Sequence, residues 1–148
     1  MTPAAFRPEA VQRRLVEIDR LLTVLETQGH MTEPTLDQDD LLRLAVERAL
    51  TQIVDLAVKI NTHVVTASGQ LPPSDYHQSF TRAAEVELLD ASLAEELSAS
   101  TGLRNRLIHE YDDIDLSIVA AALPRAISGY RRYVRQVADY LRRRQDDA

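Results

Sequence analysis

The sequence has no cysteine, no tryptophan, only four glycines and no long apolar run. The absence of cysteine excludes a disulfide, a thiolate nucleophile and a cysteine-ligated zinc site, and it fits a reducing compartment. The first residues lack the basic start and apolar stretch of a secretion signal, and no uninterrupted apolar segment reaches the roughly 18 residues that a membrane span needs. The sequence therefore predicts a cytoplasmic protein with no membrane partner.

Aromatic residues are also scarce, at 5% of the chain. The core must then be built mainly from leucine, valine, isoleucine and alanine, a composition typical of helical proteins. With 45% hydrophobic and 27% charged residues, the chain is expected to be globular rather than disordered. A length of 148 residues suits one hydrophobic core, so we expect a single helical domain over residues 1–148.

A basic excess is missing as well, since the formal net charge is −6. This charge argues against a protein that coats nucleic acid by displacing counter-ions. A local basic stretch nevertheless runs over residues 125–144, where seven arginines stand against one acid, Asp139. The stretch is either a patch that meets phosphate or a solvated helix face whose cations suit the negative end of the helix dipole.

The apolar residues that are present recur at helical spacing and do not alternate as they would in a strand. They predict helices over about 8–28, 37–67, 74–84, 89–108 and 116–144, and hence an all-α antiparallel bundle of four long helices plus one short helix. Residues 30–36 are expected to be a loop, Asp37 to cap the second helix, and Pro124 to kink or restart the last one. The last helix is expected to turn seven residues toward the core: Ile118, Ala122, Ile127, Tyr130, Val134, Val137 and Leu141.

Chemically versatile side chains concentrate in residues 103–111, which include Arg104, Asn105, His109 and Tyr111. A guanidinium is permanently charged and holds phosphate oxygens in a bidentate geometry, whereas an imidazole exchanges a proton near neutral pH. Together these groups suit cleavage of a phosphodiester. On a regular helix, however, Arg104 and His109 diverge by roughly 140°. They converge only if the arginine wraps round or the helix unwinds near His109, and a second copy of the motif across a dimer axis would also help.

Several of these residues also have a plainer interpretation. His109 could be an imidazole near a helix C-terminus, held by the helix dipole and by Glu110 or Asp113. The acidic run of Asp112, Asp113 and Asp115 could bind a metal, but a helix cap with acids that offset the dipole explains it better. The remaining histidines lack comparable neighbours and are expected on the surface or in loops: His30, His63 and His77.

Residues 104–111 match the signature Arg-x4-His-x-Tyr, with a polar residue directly after the arginine. In this run the sequence resembles the HepT-like toxins of the HEPN superfamily, which are small all-α proteins and typically metal-independent ribonucleases. The resemblance implies that Arg104 and His109 are catalytic, that Asn105 is their polar helper, and that no metal or cofactor is needed. Arg106 lies outside the signature and is expected only to contact RNA phosphate.

The same resemblance implies two protein partners. Two protomers should form a homodimer in which both motifs line one cleft. The second partner is a minimal nucleotidyltransferase antitoxin of the MntA type, which transfers AMP to the tyrosine hydroxyl, here that of Tyr111. The sequence is thus expected to encode the toxin of a toxin–antitoxin system.

RNA supplies its own nucleophile, the 2′-OH, so a protein needs only to remove its proton, stabilise charge on phosphorus and protonate the leaving 5′ oxygen. His109 and its dimer mate could share the base and acid roles while Arg104 holds the non-bridging oxygens. The alternative is a non-catalytic subunit in which the same bundle docks a nucleotidyltransferase and the motif binds a nucleotide or accepts AMP. The intact motif favours the enzyme, and the acidic net charge favours the alternative.

Overall fold

The structure is a computed structural model that describes residues 5–109 and 113–147, and seven helices lie in those ranges. They are α1 (Pro8–Thr27), α2 (Glu33–Gln38), α3 (Asp40–Ala67), α4 (Tyr76–Glu85), α5 (Ala91–Ser98), α6 (Ser100–His109) and α7 (Leu116–Asp146). The described residues contain no strand, so the predicted all-α fold class is confirmed. Within the same ranges, no helix combines the length and apolar character that a membrane crossing requires.

The predicted apolar stripe of α1 is buried along its whole length. Pro8 stands in the first turn, where its missing N–H loses no helical hydrogen bond. The helix ends before Gly29, whose φ of 68° is a conformation that glycine adopts without strain. The buried residues are the predicted Val11, Leu15, Ile18, Leu22 and Leu25, together with Leu21.

The segment between α1 and α3 is more helical than predicted. Residues 30–36 were expected to be a loop, but α2 begins there because the Thr32 side chain accepts a hydrogen bond from the Thr35 N–H and Pro34 suits a first turn. The predicted position of the α3 N-cap is also wrong, by two residues. Asp39, not Asp37, accepts the hydrogen bond of the Leu42 N–H, at 3.0 Å.

The predicted fourth helix is interrupted at Ala99, which separates α5 from α6. The dihedral angles of Ala99 stay helical, with φ −65° and ψ −27°, so the two pieces follow each other closely. The hydroxyl of Ser98 donates to the Glu95 carbonyl, and that of Ser100 donates to the Leu97 carbonyl. Such side-chain bonds compete with the helical pattern at this point.

The buried face of α7 matches the predicted one only in part: Tyr130 and Val137 are buried, and Ile127, Val134 and Leu141 are partly buried against the core. The helix runs through Pro124 without restarting, and Ile118, expected inside, is 42% exposed. Tyrosines supply much of the true inner face, since Tyr133 and Tyr140 are buried although aliphatic neighbours were expected there. The buried residues of α7 are Val119, Leu123, Gly129, Tyr130, Tyr133, Val137 and Tyr140.

α3 and α7 organise the core. α1, α4 and α6 pack against α3, while α1, α2 and α5 pack against α7. A polar link joins the two organising helices, because the Tyr133 hydroxyl donates to Asn61 Oδ1 at 2.7 Å. This packing places α6, which carries the candidate motif, directly against the middle of α3.

Candidate active site

Arg104 lies on the side of α6 that faces α3. Its Nε donates a hydrogen bond to Asp55 Oδ1 at 2.9 Å, and the two side chains are only 18% and 29% exposed. The guanidinium carbon lies 4.7 Å from the centre of the Tyr76 ring, within the range of a cation–π contact. Side chains from α3, α4 and α6 therefore meet around one cation.

Asn105 completes this arrangement from the neighbouring position on α6. Its Oδ1 accepts a hydrogen bond from Arg104 Nη1 at 3.2 Å, and its side chain is exposed. Among the described residues, only Nε and Nη1 of Arg104 have a hydrogen-bond partner. Nη2 is thus the guanidinium nitrogen that has no hydrogen-bond partner in the part of the chain that the structure describes.

The carboxylate of Asp55 also affects Tyr76. Burial raises the pKa of the Tyr76 phenol, and the negative charge of Asp55 raises it further, while the charge of Arg104 has the opposite effect. The phenol therefore stays protonated near neutral pH and remains a neutral ring beneath the guanidinium. A neutral ring face attracts a cation without neutralising it.

His109 occupies a different side of the same helix. It is the last residue of α6 and is exposed. Because the helix is continuous from Ser100 to His109, it does not unwind before the histidine, and Arg104 and His109 diverge by roughly 140°. The structure thus brings Arg104 and Asn105 together but does not bring His109 to them within one chain.

The residues after His109 are described only in part. Tyr111, Glu110 and Asp112 lie outside the described residues. Asp115 is the N-cap of α7, and the hydrogen bonds from the Ser117 hydroxyl and backbone N–H lower the pKa of its carboxyl. The charge of Arg106, which is exposed on α6, lowers that pKa least.

The acidic run gives no further sign of a metal site. Asp115 accepts the Ser117 hydroxyl at 2.6 Å, which is the capping role that the sequence favoured, and Asp113 is exposed. In the ranges that the structure describes, no three histidine, cysteine or acidic side chains are grouped so that they could hold a metal ion.

Arg104 borders a very small cavity. The cavity beside Arg104 has a volume of about 10 Å³, and it is lined by side chains of α3, α6 and α7. This space holds at most about one water molecule. A nucleotide could therefore meet Arg104 only on the outer surface of one chain, or in a cleft completed by a second chain.

The basic stretch of α7 is largely engaged in contacts within the protein. Arg131 pairs with Asp19 and Glu26 on α1, and Arg132 pairs with Glu96 on α5. These ion pairs were not predicted, and they argue against a phosphate-binding patch at Arg131 and Arg132.

The other histidines are placed mainly as predicted. His30 and His77 are exposed. His63 is not a simple surface residue, because its Nε2 accepts a hydrogen bond from the Arg7 N–H at 2.9 Å and its ring stacks on Phe6 with centres 5.6 Å apart. It fastens the segment before α1 to α3.

Sequence reasoning missed Asp55 and the contact of Tyr76 with Arg104. One signal was present in the sequence, because Asp55 is a lone carboxylate within the apolar run of residues 53–58. A carboxylate in such a helix is seldom buried without a cationic partner. The identity of that partner, however, depends on the packing of α6 against α3.

Comparison with known proteins gives a consistent assignment. Residues 13–137 match the profile of the family described as Ribonuclease HepT-like. The tRNA nuclease HepT of Aphanizomenon flos-aquae is 33% identical over 136 residues, which cover 92% of each chain. The mRNA nuclease HepT of Shewanella oneidensis is 25% identical over 97 residues, covering 66% of this chain and 73% of the relative.

A solved structure gives the same fold. The tri-AMPylated HEPN toxin of Shewanella oneidensis, in complex with MNT antitoxin, superposes with a TM-score of 0.78 at 20% identity, over 88% of this chain and 97% of that one. The predicted HEPN-like fold and the predicted ribonuclease class are therefore confirmed. By the extent of the family match and by the 33% identity over nearly its whole length, the chain belongs to the HepT-like ribonucleases.

Proposed function

We propose that this protein is the toxin of a toxin–antitoxin pair and that it is an endoribonuclease that cleaves RNA by attack of the 2′-OH, without a metal ion. The observation that carries the proposal is the anchored Arg104, with an open Nη2 edge, on the same helix as an exposed His109. In this proposal residues 1–148 are one HEPN-like domain that acts in the cytoplasm.

The chemistry assigns a task to each motif residue. A base removes the proton of the 2′-OH, whose oxygen attacks phosphorus, and an acid protonates the 5′ oxygen as its bond to phosphorus breaks. His109 and His109 of the partner subunit share these two tasks. Arg104 stabilises the charge that develops on the non-bridging oxygens, and Asn105 supports it. The expected products are a 2′,3′-cyclic phosphate and a 5′-hydroxyl.

A homodimer would supply the missing half of this site. Arg104 and His109 diverge on α6, so two copies of the motif facing each other would place both residue types in one cleft. On α3, Leu41 and Leu44 are 78% and 55% exposed. Both leucines lie about three to four helical turns before Asp55, on the same side of α3, so a second chain that packs along this side could cover them.

The proposed control is covalent. An antitoxin of the MntA nucleotidyltransferase type would transfer AMP to Tyr111, which brings an anionic phosphate within two residues of His109. The modification would occupy the phosphate position, weaken the field of Arg104 and block RNA sterically. The tri-AMPylated relative bound to MNT antitoxin supports this mode of control. Two relatives are named for different RNAs, tRNA and mRNA, so the proposal extends to RNA as a class.

Purified variants test the catalytic assignment. We expect His109→Ala and Arg104→Ala each to lower RNA cleavage in EDTA by at least about 100-fold, since proton transfer and charge stabilisation each contribute rate factors of that order. His77→Ala removes another exposed histidine and should keep parental activity. Parental cleavage by either motif variant would contradict the assigned roles, and loss of parental cleavage in EDTA would contradict the metal-free mechanism.

Tyr111→Phe tests the control. We expect this variant to cleave RNA at nearly the parental rate, because the phenol serves as neither acid nor base, and to escape silencing by the antitoxin with ATP and Mg²⁺. Intact mass and peptide mapping would locate the added AMP. AMP found only on another residue, or full silencing of Tyr111→Phe through AMP transfer, would contradict the assignment.

A non-catalytic binding subunit is the second candidate, favoured by the net charge of −6 and by the paired arginines of α7. In that case the purified protein would bind the nucleotidyltransferase and accept AMP, yet it would leave RNA intact under the same conditions. The parental cleavage assay therefore decides between the two candidates.

A further inference from the structure

Asp55 presents a problem for the proposed site. It places a carboxylate 2.9 Å from the cation assigned to hold a phosphate. Charge alone would make such a residue unfavourable, because it repels RNA and partly neutralises Arg104. A role for Asp55 must therefore come from geometry rather than from its charge.

The contacts around Arg104 supply that geometry. Asp55 engages Nε from α3, and Tyr76 covers the guanidinium from α4. A free arginine side chain loses considerable rotamer entropy when it binds a phosphate. An arginine held in advance by two other helices has already lost that freedom on folding, so it binds with less loss.

We propose that Asp55 and Tyr76 are positioning residues, which hold the Arg104 guanidinium so that its Nη2 edge faces the RNA phosphate. The inference rests on the proposed function, because it assigns the phosphate to Arg104. Neither residue touches RNA in this arrangement. Asp55 fixes the direction of the guanidinium plane, and the Tyr76 ring prevents it from folding away from the surface.

The direction in which RNA affinity changes when Asp55 is removed distinguishes a positioning role from a simple electrostatic effect. Removing an acid beside the site should tighten RNA binding if charge dominates, and should weaken it if Asp55 positions Arg104. Asp139→Ala is a matched control, because it also removes an acid and releases an arginine, Arg142, but does so on the exposed face of α7. Binding is measured with uniformly 2′-O-methylated RNA, which lacks the attacking hydroxyl and cannot be cleaved.

We expect Asp55→Ala to bind this RNA about 5- to 10-fold more weakly than the parent. It should also lower kcat/KM for the unmodified RNA by about 10- to 100-fold, which is the effect of removing an outer hydrogen-bond partner that orients a metal-binding side chain. Asp55→Asn keeps an acceptor for Nε and should recover part of both losses. Tyr76→Phe keeps the ring and should stay near parental activity, whereas Tyr76→Leu should not. Asp139→Ala should bind RNA at least as tightly as the parent.

A double-mutant cycle shows whether Asp55 acts through Arg104. In the Arg104→Ala background, Asp55→Ala should cause no further loss of binding, because the group that it positions is absent. Additive losses would overturn the inference. So would tighter or unchanged RNA binding by the single Asp55→Ala variant, provided that its circular dichroism and thermal unfolding show a folded protein. If Asp55→Ala does not fold, Asp55→Asn replaces it in the same double-mutant cycle.

Failure of the inference and failure of the proposed function give different results. If Arg104→Ala itself binds and cleaves RNA like the parent, the proposed function is wrong. If Arg104→Ala is inactive while Asp55→Ala and Tyr76→Leu are fully active, the catalytic assignment stands and only the positioning role is wrong.

Discussion

Arg104 combines contacts that a lysine could not reproduce. A guanidinium offers separate N–H groups in one plane, so Nε can bind Asp55, Nη1 can bind Asn105, and Nη2 can remain open. Its flat face can at the same time lie over Tyr76. A lysine ammonium is a compact charge without a planar fork, so it could not make all these contacts at once. The arginine of the signature therefore has a structural reason here that is independent of any family comparison.

His63 shows how a single residue outside the site affects stability. Burial lowers its pKa, and the charges of Arg14 and Arg7 lower it further, against the opposite effect of Glu9. The contact with the Arg7 N–H also requires a neutral imidazole, since Nε2 is the acceptor. Protonation would remove that acceptor and place a cation among the neighbouring arginines.

We therefore predict that the protein loses stability at mildly acidic pH through His63. The pKa of the folded state lies below the ordinary value of 6.5, so the unfolded chain binds this proton first. The contribution is fully present above about 6.5 and is lost as the pH falls through the folded-state pKa. Urea unfolding at about pH 7.5 and about pH 5.5 would measure it. His63→Gln keeps a neutral acceptor and should show a smaller difference between the two pH values; an identical difference would contradict the prediction.

At the scale of helices, α7 is fixed by tyrosine hydroxyls as well as by apolar contacts. The Tyr133 hydroxyl donates to Asn61 Oδ1 at 2.7 Å and lies 3.0 Å from the Ala57 carbonyl, both on α3. Asn61 Nδ2 in turn donates to the Ser79 hydroxyl on α4. This fully buried network sets the rotation of α7 against the rest of the bundle.

Tyr133→Phe should therefore destabilise the fold by about 1 to 3 kcal/mol, because it leaves a buried acceptor without its donor. Tyr140→Phe is the matched control. Within the described ranges, the Tyr140 hydroxyl meets only Arg144, at 3.4 Å, so its loss should cost much less. Chemical denaturation gives both values, and equal losses in the two variants would show that the network does not fix α7.

The same network explains why the buried face of α7 was predicted only in part. Apolar spacing selects the face with the most aliphatic residues, and it favoured Ile118, which is 42% exposed. A tyrosine counts weakly in such a pattern, yet it can be buried once its hydroxyl finds a partner on another helix. Partners such as Asn61 lie far away in sequence, so they could not enter the prediction. α1 has no such polar link in its buried stripe, and its predicted face is the observed one.

The candidate site was likewise predicted only in part from the sequence. Arg104, Asn105, His109 and Tyr111 are close in sequence and form a signature, so the sequence alone indicates them. Asp55 is separated from Arg104 by 49 positions and approaches it only when α6 packs against α3. Local patterns can therefore identify the reactive groups, while the residues that hold them depend on tertiary contacts.

At the scale of the whole molecule, one chain does not bring the two proposed catalytic residues together. Arg104 is turned toward α3, and His109 is exposed at the end of α6. The space beside Arg104 within one chain is about 10 Å³, too small for a nucleotide. Leu41 and Leu44 are exposed on the same side of α3 as Asp55. In the proposed dimer, a second copy of the chain covers these leucines and completes the cleft.

The proposed mechanism uses His109 of both subunits in one cleft, so a dimer that keeps a single His109 should be inactive. We predict this result for parent and His109→Ala chains that are mixed in equal amounts under conditions that exchange subunits. Random exchange leaves about a quarter of the dimers with both histidines, so about a quarter of the activity of an equal total amount of parent should remain. If each chain acted alone, about half would remain.

The control for this experiment is His77→Ala, which removes an exposed histidine outside the motif. Mixed with the parent in the same way, it should leave the activity unchanged. Light scattering at the assay concentration would establish the dimer independently. If the protein is a monomer there, the composite cleft does not exist. If a dimer exchanges subunits but the mixture of parent and His109→Ala keeps about half of the activity, each chain acts with its own His109. The helix end near His109 must then rearrange toward Arg104 when RNA binds.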